Sequence, residues 1–189
     1  MFAAIRRKQP RPTLVMIACE YDPAWPLAFA EIRRVLLSHL ESLAVEVHHV
    51  GSTSIPGMLA KPILDIDIEI SNYEAFPAVV ERLLSLGYAH EGDLGIADRY
   101  AFRRLSPQAP QIDPPRTWTE QHLYVCPTSS RELQRQLLFR DKLRVDANLR
   151  ARYRDLKLDC LAQCNGQRKI YQSLKEQNGS AFFADVLQG

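Results

Sequence analysis

A stretch in which acidic and apolar side chains alternate most constrains how this chain folds. Asp65, Asp67 and Glu69 alternate with leucine and isoleucine over residues 64–70. Side chains two positions apart on a β-strand point to the same face, so a strand would carry the three carboxylates on one side and the apolar side chains on the other. Carboxylates at this spacing repel one another, and a divalent cation that bridges them to a phosphate would supply the missing positive charge. The stretch therefore predicts a strand whose polar face binds a cation.

Hydrophobic periodicity in the rest of the chain predicts an α+β (α/β-like) fold, a mixed β-sheet flanked by helices. Alternating segments predict strands at 45–50, 65–70, 88–91, 99–105 and 122–126. Apolar residues at helical spacing predict helices at about 23–43, at 73–86, from about 129 to a break at 165–166, through 170–174 and around 182–186. We expect a flexible tail and lead-in over residues 1–20 and one domain over residues 21–189, whose C-terminal part from about residue 129 is helical.

The composition disfavours several classes of protein. The chain has 24 basic and 22 acidic residues and a net charge of +2, which is too balanced for a protein that coats nucleic acid. Its four cysteines contain no Cys-x-x-Cys pair, which argues against a zinc site and a disulfide framework. The longest early apolar run, residues 14–19, is too short to cross a membrane or to form a signal-peptide core. These features are typical of a cytoplasmic protein.

A Gly-Ser turn follows the predicted strand at 45–50. Gly51 lets the backbone turn tightly and approach a ligand closely, and a helical turn that begins at Thr53 would point free backbone N–H groups at a phosphate. The hydroxyls of Ser52 and Ser54 could bond this phosphate or cap the turn. The segment is neither a Walker loop, because it lacks the Gly-Lys-Ser/Thr ending, nor a Gly-x-Gly-x-x-Gly dinucleotide fingerprint.

The turn and the acidic strand together are more specific than either alone. Gly51-Ser52, then twelve residues, then Asp65-Ile-Asp67 resembles the signature of the DNA polymerase beta-like nucleotidyltransferase superfamily. The resemblance implies that Gly51 and Ser52 hold the phosphates of a nucleotide and that Asp65 and Asp67 hold Mg²⁺, which Mn²⁺ could replace. In-line phosphoryl transfer needs metal to neutralise the charge on the attacking, leaving and bridging oxygens, and carboxylates are suitable ligands.

A closer resemblance, to the GrpB family, covers almost the whole chain. It rests on five separated blocks in order, at residues 21–25, 49–67, 122–125, 138–144 and 153–157. The GrpB family is assigned to the nucleotidyltransferase fold, and a version of it occurs fused to dephospho-CoA kinase in some proteins. The resemblance therefore implies this fold, with a helical C-terminal region, and a nucleoside triphosphate as ligand, with ATP as the first expectation.

The predicted site departs from the superfamily pattern at one position. The superfamily often has a third acidic residue on a later strand, and the corresponding strand here offers His122 instead. This histidine could be a metal ligand, a general base for an attacking hydroxyl or a phosphate contact. Glu69 is expected to be a solvated residue at the end of its strand rather than an extra ligand. His49 is expected to be structural rather than a site residue.

Three basic side chains are further candidates for phosphate binding. Lys61 precedes the acid pair by four residues and could reach a phosphate or stay in solvent. Arg140 and Arg144 lie one turn apart on a basic helix. Both could grip a triphosphate or an anionic acceptor, or could form ordinary ion pairs at the surface.

These patterns favour an enzyme that uses Mg²⁺ to transfer a nucleotidyl group from a nucleoside triphosphate to an unknown acceptor. His122 in place of a carboxylate leaves a second hypothesis open, a non-catalytic module that binds a nucleotide or a CoA-related ligand. An accessory domain that acts through its helices is the third. Nucleic acid is not favoured as the acceptor, because the chain has no aromatic-basic stacking pattern.

Overall fold

The computed structural model describes residues 17–188 and contains one mixed five-stranded sheet. Its strands are β1 (Glu46–Val50), β2 (Leu64–Ile70), β3 (Tyr88–His90), β4 (Tyr100–Arg104) and β5 (Gln121–Pro127). Its helices are α1 (Trp25–Leu40), α2 (Phe76–Ser85), α3 (Arg131–Val145), α4 (Ala147–Gln163) and α5 (Arg168–Gln188). Short 3₁₀ turns follow α1 at Glu41–Leu43 and β1 at Ser52–Ser54.

The sheet has the strand order β1-β2-β5-β4-β3, and only the central β2–β5 pair is parallel. The parallel register places Asp65 beside His122 and Asp67 beside Tyr124. Because side chains alternate between the faces, the acidic residues of β2 share one face with these two residues of β5. The fold predicted from the sequence is therefore confirmed, and two distant segments meet at its centre.

The opposite face of the sheet forms the main hydrophobic core. Leu64, Ile66, Ile68 and Ile70 are fully buried there, and the apolar stripes of α1 and α2 pack in the same cluster. Burying side chains of this size contributes roughly 1.5–3 kcal/mol each, which is enough to fix the register of β2 against a one-residue slip. The register in turn fixes which face carries the carboxylates.

A second core joins the C-terminal helices to the segment that follows β1. Ile55 and Met58 are buried against Leu143, Tyr153 and Phe182, which come from α3, α4 and α5. This packing holds the loop after the Gly-Ser turn against the helices, while the strands hold its two ends. The Gly-Ser turn and the loop after it are therefore held both by the strands and by the C-terminal helices.

The helices differ in two places from the sequence prediction. The single helix expected between 129 and 165 is broken at Asp146, which is extended and accepts the backbone N–H groups of Asn148 and Leu149 as the N-cap of α4. The two helices expected after residue 166 are one continuous helix. Helix α5 runs through Gly179, and the ring of Phe183 lies where a side chain at this position would be.

The start of the described chain also differs from the prediction. Ile17 is buried, and Cys19 forms an isolated β-bridge to Ala60, so the end of the predicted tail and lead-in packs on the rest of the chain. The tail prediction for residues 1–16 lies outside the described residues. All four cysteines are free thiols. Within residues 17–188 no helix has the length and apolar character needed to span a bilayer.

Candidate functional site

Asp65 and His122 form the exposed part of the carboxylate face. The Nδ1 of His122 lies 3.0 Å from the Oδ1 of Asp65, and their side chains are 46% and 33% exposed. The parallel pairing of β2 and β5 produces this contact across 57 positions of sequence. The structure therefore brings together two of the three residues predicted to be catalytic.

Asp67, the third residue predicted to be catalytic, is fully buried. Neither of its carboxylate oxygens has a hydrogen-bond partner among the described residues. Burial raises the pKa of this carboxyl to about 7, the positive charge of Arg99 opposes the rise, and the negative charge of Asp65 adds to it. An unpaired buried carboxylate is strongly unfavourable. A divalent cation would remove that cost, so this donor fits a bound Mg²⁺.

Glu69 is not the solvated strand-end residue that the sequence predicts. Its Oε2 lies 2.8 Å from the Nε2 of His48 on the neighbouring strand, and its side chain is largely buried. This contact gives Glu69 a partner within the sheet, in contrast to Asp67. Within residues 17–188 no cluster of three or more histidine, cysteine or acidic side chains has the geometry of a metal site. A cation here would thus take two protein ligands and its other ligands from substrate or water.

Gly51 is required by the backbone and by its neighbour. Its φ of 66° and ψ of −171° lie in a region that is essentially restricted to glycine. A Cβ at this position would overlap the carboxylate of Asp65 and would lie 2.9 Å from its Cβ. The backbone of the Gly-Ser turn therefore lies directly against the carboxylate face.

The three hydroxyl residues that follow have different surroundings. Thr53 and Ser54 are buried, and their hydroxyls bond within the protein, Thr53 to His49 and to the carbonyl of Ile63, and Ser54 to the carbonyl of Gly51. Ser52 is partly exposed and lines the cleft. Of the three phosphate candidates from the sequence, Ser52 is therefore the most exposed, and its Oγ accepts a hydrogen bond from the Nζ of Lys157.

A cleft of about 400 Å³ lies between the carboxylate face and the C-terminal helices. Its charged lining residues are Lys61, Asp65, Arg99, Glu132, Arg135, Lys157, Lys175 and Glu176, together with His122. Five of these are lysines or arginines and three are acidic, so the cleft favours an anionic ligand. Lys61 was predicted from the sequence, and burial and the nearby charges of Arg168 and Lys175 lower its pKa to about 8.

Arg140 and Arg144 are not among the residues that line this cleft. The guanidinium of Arg140 donates to the carbonyl of His49 at 3.2 Å, and that of Arg144 donates to the carbonyl of Ser54 at 2.9 Å. Both side chains thus hold the backbone on either side of the Gly-Ser turn. The basic residue of α3 that lines the cleft is Arg135, which lies on a different side of the helix from Arg140.

His49 is structural, as predicted. It is buried, stacks on Phe29 with ring centroids 4.7 Å apart, and its Nε2 lies 3.0 Å from the Thr53 hydroxyl. Burial and the positive charges of Arg144 and Arg140 lower its pKa to about 4, although Asp65 acts in the opposite direction. The imidazole is therefore neutral at pH 7 in the folded protein.

The depressed pKa of His49 predicts a loss of stability in mild acid. The unfolded chain binds a proton at this residue below pH 6.5, whereas the native protein binds it only near pH 4, so stability falls as the pH drops between these values. At pH 5 the expected contribution to the loss is about 2 kcal/mol relative to pH 7. Urea denaturation at both pH values should show a smaller loss in His49→Gln than in the unsubstituted protein. An equal loss in the two proteins would contradict this prediction.

Comparisons with known sequences identify relatives of this chain. The sequence profile described as GrpB protein matches residues 16–188. The UPF0157 protein YqkA of Bacillus subtilis is 34% identical over 143 residues, which are 76% of this chain and 39% of that protein. The chain spans 39% to 66% of the lengths of three bacterial relatives that are 33–34% identical to it.

Two solved structures resemble the fold. The conserved protein GrpB from Enterococcus faecalis superposes with a TM-score of 0.73 at 25% identity, and the match covers 90% of this chain and 97% of that one. The Cid1 poly(U) polymerase, in a MgGTP-bound structure, gives a TM-score of 0.50 at 12% identity over 76% of this chain and 44% of that one. The second match, at this identity, concerns the fold alone.

Proposed function

Because the chain belongs to the GrpB family and has the nucleotidyltransferase fold, we propose that it transfers a nucleotidyl group from a nucleoside triphosphate to an acceptor with the help of Mg²⁺. ATP is the first candidate donor and Mn²⁺ the alternative cation. The proposed place of the reaction is the cleft between the carboxylate face and the C-terminal helices.

The observation that carries this proposal is the state of Asp67. Both of its oxygens are buried without a partner among the described residues, two positions along β2 from Asp65. A structural carboxylate would be expected to have hydrogen-bond donors, as Glu69 has in His48. Asp65 and Asp67 would hold the cation, which would neutralise charge on the phosphate that is attacked.

The other residues of the cleft have roles that follow from their positions. A phosphate at the Gly51-Ser52 turn would lie next to Asp65, and the lysines and arginines of the lining would neutralise the remaining phosphates. His122, which is bonded to Asp65 and half exposed, would contact the acceptor beside the cation. Arg140 and Arg144 would act indirectly, because they hold the carbonyls on both sides of the turn.

A thermal-shift screen tests this function directly. The protein is heated with each nucleoside triphosphate, and with CoA and dephospho-CoA, in the presence of EDTA, Mg²⁺ or Mn²⁺. A ligand at one hundred times its Kd stabilises the native state by about 2.7 kcal/mol, and we expect a rise in Tm of roughly 5–10 °C for a triphosphate with metal. Release of pyrophosphate from the same nucleotide, measured with an acceptor-containing extract, then tests transfer.

Two outcomes would contradict the proposed function. A shift of the same size in EDTA would remove the role of the cation. A shift with CoA species and none with any nucleoside triphosphate would favour the non-catalytic binding module instead. Glu69→Gln is the matched control, because it neutralises a carboxylate on the same strand that already has a histidine partner, and its metal-dependent shift should be unchanged.

A further inference from the structure

A second pocket, of about 300 Å³, adjoins the cleft and has a different chemical character. The two meet at Ser52 and Asp65, which line both. Lys61, His122 and Lys157 line the cleft alone. The second pocket has apolar and aromatic side chains instead, and we call the part of its lining that they form the aromatic pocket: Val50, Phe139, Tyr153 and Phe183.

The aromatic walls of this pocket come from the three C-terminal helices. Phe139 of α3 packs edge-to-face on Tyr153 of α4, with ring centroids 5.3 Å apart, and its centroid lies 4.8 Å from that of Phe183 of α5. Tyr153 is buried, whereas Phe139 and Phe183 are only partly buried. Because the second core holds both phenylalanine rings in place, their exposed parts form a preformed surface on which a planar aromatic group can stack.

The position of the aromatic pocket beside the phosphate site indicates what it would bind. Lys157 connects the two sites, since its Nζ donates to the Oγ of Ser52 at 2.6 Å and lies 4.7 Å from the centre of the Tyr153 ring. A ligand that matches both sites has an anionic end for the basic cleft and a planar aromatic end for the pocket, as a nucleoside triphosphate has. The acceptor, which is proposed to contact His122, would lie in the cleft, because His122 does not line the pocket.

Two polar side chains that line the same pocket offer hydrogen-bond acceptors. Gln136 donates from its Nε2 to the Oε1 of Glu132 at 3.0 Å, so its own Oε1 is left to accept. Glu176 has a carboxylate, which only accepts. These acceptors favour a base that presents an amino group, such as adenine, because the N–H groups of the amine can donate to them. They disfavour uracil, in which two carbonyl oxygens flank the single N–H.

We propose that the aromatic pocket binds the base of the donor nucleotide, and that Gln136 and Glu176 select a base with an amino group, adenine first. This inference rests on the proposed function and specifies the donor within it. The triphosphate occupies the basic cleft at the Gly-Ser turn, and the base stacks on Phe139 and Phe183.

Isothermal titration calorimetry in Mg²⁺ tests the stacking with ATP and with inorganic tripolyphosphate, which lacks the nucleoside. We expect ATP to bind roughly 5- to 150-fold more tightly, the range for one stacked base. Phe139→Leu and Phe183→Leu keep an apolar side chain but lose the flat ring, so each should weaken the binding of ATP by about 5-fold or more and leave that of tripolyphosphate unchanged. Equal affinities for ATP and tripolyphosphate in the unsubstituted protein would overturn the proposal without any variant.

Phe76→Leu is the matched control for both variants. Phe76 is also a partly buried phenylalanine in contact with another aromatic ring, that of Tyr100 at 4.5 Å, but it packs on the main core and lines neither site. Its substitution should leave the affinity for ATP unchanged. A loss as large as that in Phe183→Leu would mean that the affinity follows stability rather than stacking, and would overturn the role of the pocket.

Purine riboside triphosphate, which is ATP without the amino group, tests the selection of the base. Loss of the hydrogen bonds from this group should weaken binding by about 10-fold relative to ATP. Glu176→Ala should bring the affinities for the two nucleotides closer together. Equal binding of both by the unsubstituted protein would overturn the roles of Gln136 and Glu176.

Adenosine separates this inference from the proposed function, because it carries the base but no phosphate. Binding of adenosine without metal, with a loss in Phe183→Leu, would support the aromatic pocket even in a protein that binds no nucleoside triphosphate, a result that would contradict the proposed donor. A protein that binds ATP and tripolyphosphate equally, and both only with Mg²⁺, would overturn the pocket and leave the proposed function in place.

Discussion

Replacing Asp67 with asparagine should stabilise the metal-free protein at pH 8 and abolish its stabilisation by Mg²⁺. The pKa of Asp67 is raised to about 7, so the folded protein holds a proton that the unfolded chain releases near pH 4. Stability is therefore lost as the pH rises from 4 to 7 and stays low above 7. The expected cost of the charged side chain at pH 8 is about 4 kcal/mol in the absence of metal.

The amide introduced by Asp67→Asn would recover only part of this cost, because its own N–H groups lack acceptors in the same surroundings. Each unsatisfied buried polar group costs about 1–3 kcal/mol, so we expect a net gain of about 1–3 kcal/mol at pH 8 and none at pH 4. Denaturation in EDTA at both pH values measures the gain. Titration with Mg²⁺ or Mn²⁺ at pH 8 should then stabilise the unsubstituted protein and leave Asp67→Asn unchanged.

Asp65→Asn is the matched control, since it makes the same substitution two residues away on the same face. Asp65 is partly exposed and bonded to His122, so its replacement should give a smaller gain in EDTA than Asp67→Asn, limited to the loss of its repulsion on Asp67. It should still remove the response to the cation, because both carboxylates are proposed ligands. If Asp67→Asn and the unsubstituted protein had the same stability at pH 8 and the same response to Mg²⁺, the metal site would be placed wrongly.

Substitution of Gly51 by alanine is expected to destabilise the protein by about 2–6 kcal/mol and to remove cation binding. The backbone conformation costs a non-glycine residue about 1–3 kcal/mol, and the added methyl group must displace the carboxylate of Asp65. The carboxylate face would then be distorted even in molecules that fold. Denaturation and Mg²⁺ titration of the same samples measure the two effects together.

Gly57 provides the comparison that separates these two effects. It also has a positive φ, of 77°, but a Cβ there would meet no atom within 4 Å. Gly57→Ala should therefore cost only the conformational strain, about 1–2 kcal/mol, and keep the response to Mg²⁺. Equal losses in the two variants would mean that the contact of Gly51 with Asp65 has no part in shaping the site.

The sequence was sufficient for the parts of the site that depend on local periodicity. Alternation over residues 64–70 identified β2 and its polar face, because a strand has a period of two whatever surrounds it. The resemblance to the GrpB family, read from five separated blocks, is confirmed by the profile match. These local and family-level signals located the Gly-Ser turn and the acid pair on neighbouring segments.

The remaining parts depend on which faces of the elements meet. The way α3 packs on the rest of the protein decides whether Arg135 or Arg140 faces the cleft. The sequence of basic residues on this helix does not indicate which of them does. Lys157 is one of nine basic residues on the predicted helix, and only the fold shows that its Nζ contacts the hydroxyl of Ser52. The break at Asp146 also escaped prediction, because apolar residues continue at helical spacing on both sides of it.

The bonds that hold the Gly-Ser turn have a consequence for biosynthesis. Arg144, Arg140 and Lys157 reach back across 90, 91 and 98 residues to the carbonyls around the turn, and Lys157 reaches across 105 to Ser52. A nascent chain that has emerged only through β5 has both aspartates and the turn, but none of these three cations. The cleft is therefore completed late in translation. Contacts between residues so far apart in sequence form slowly, so we expect the assembly of the cleft to be a slow, cooperative step. Formation of the cleft thus depends on the folding of the sheet and of the C-terminal helices together.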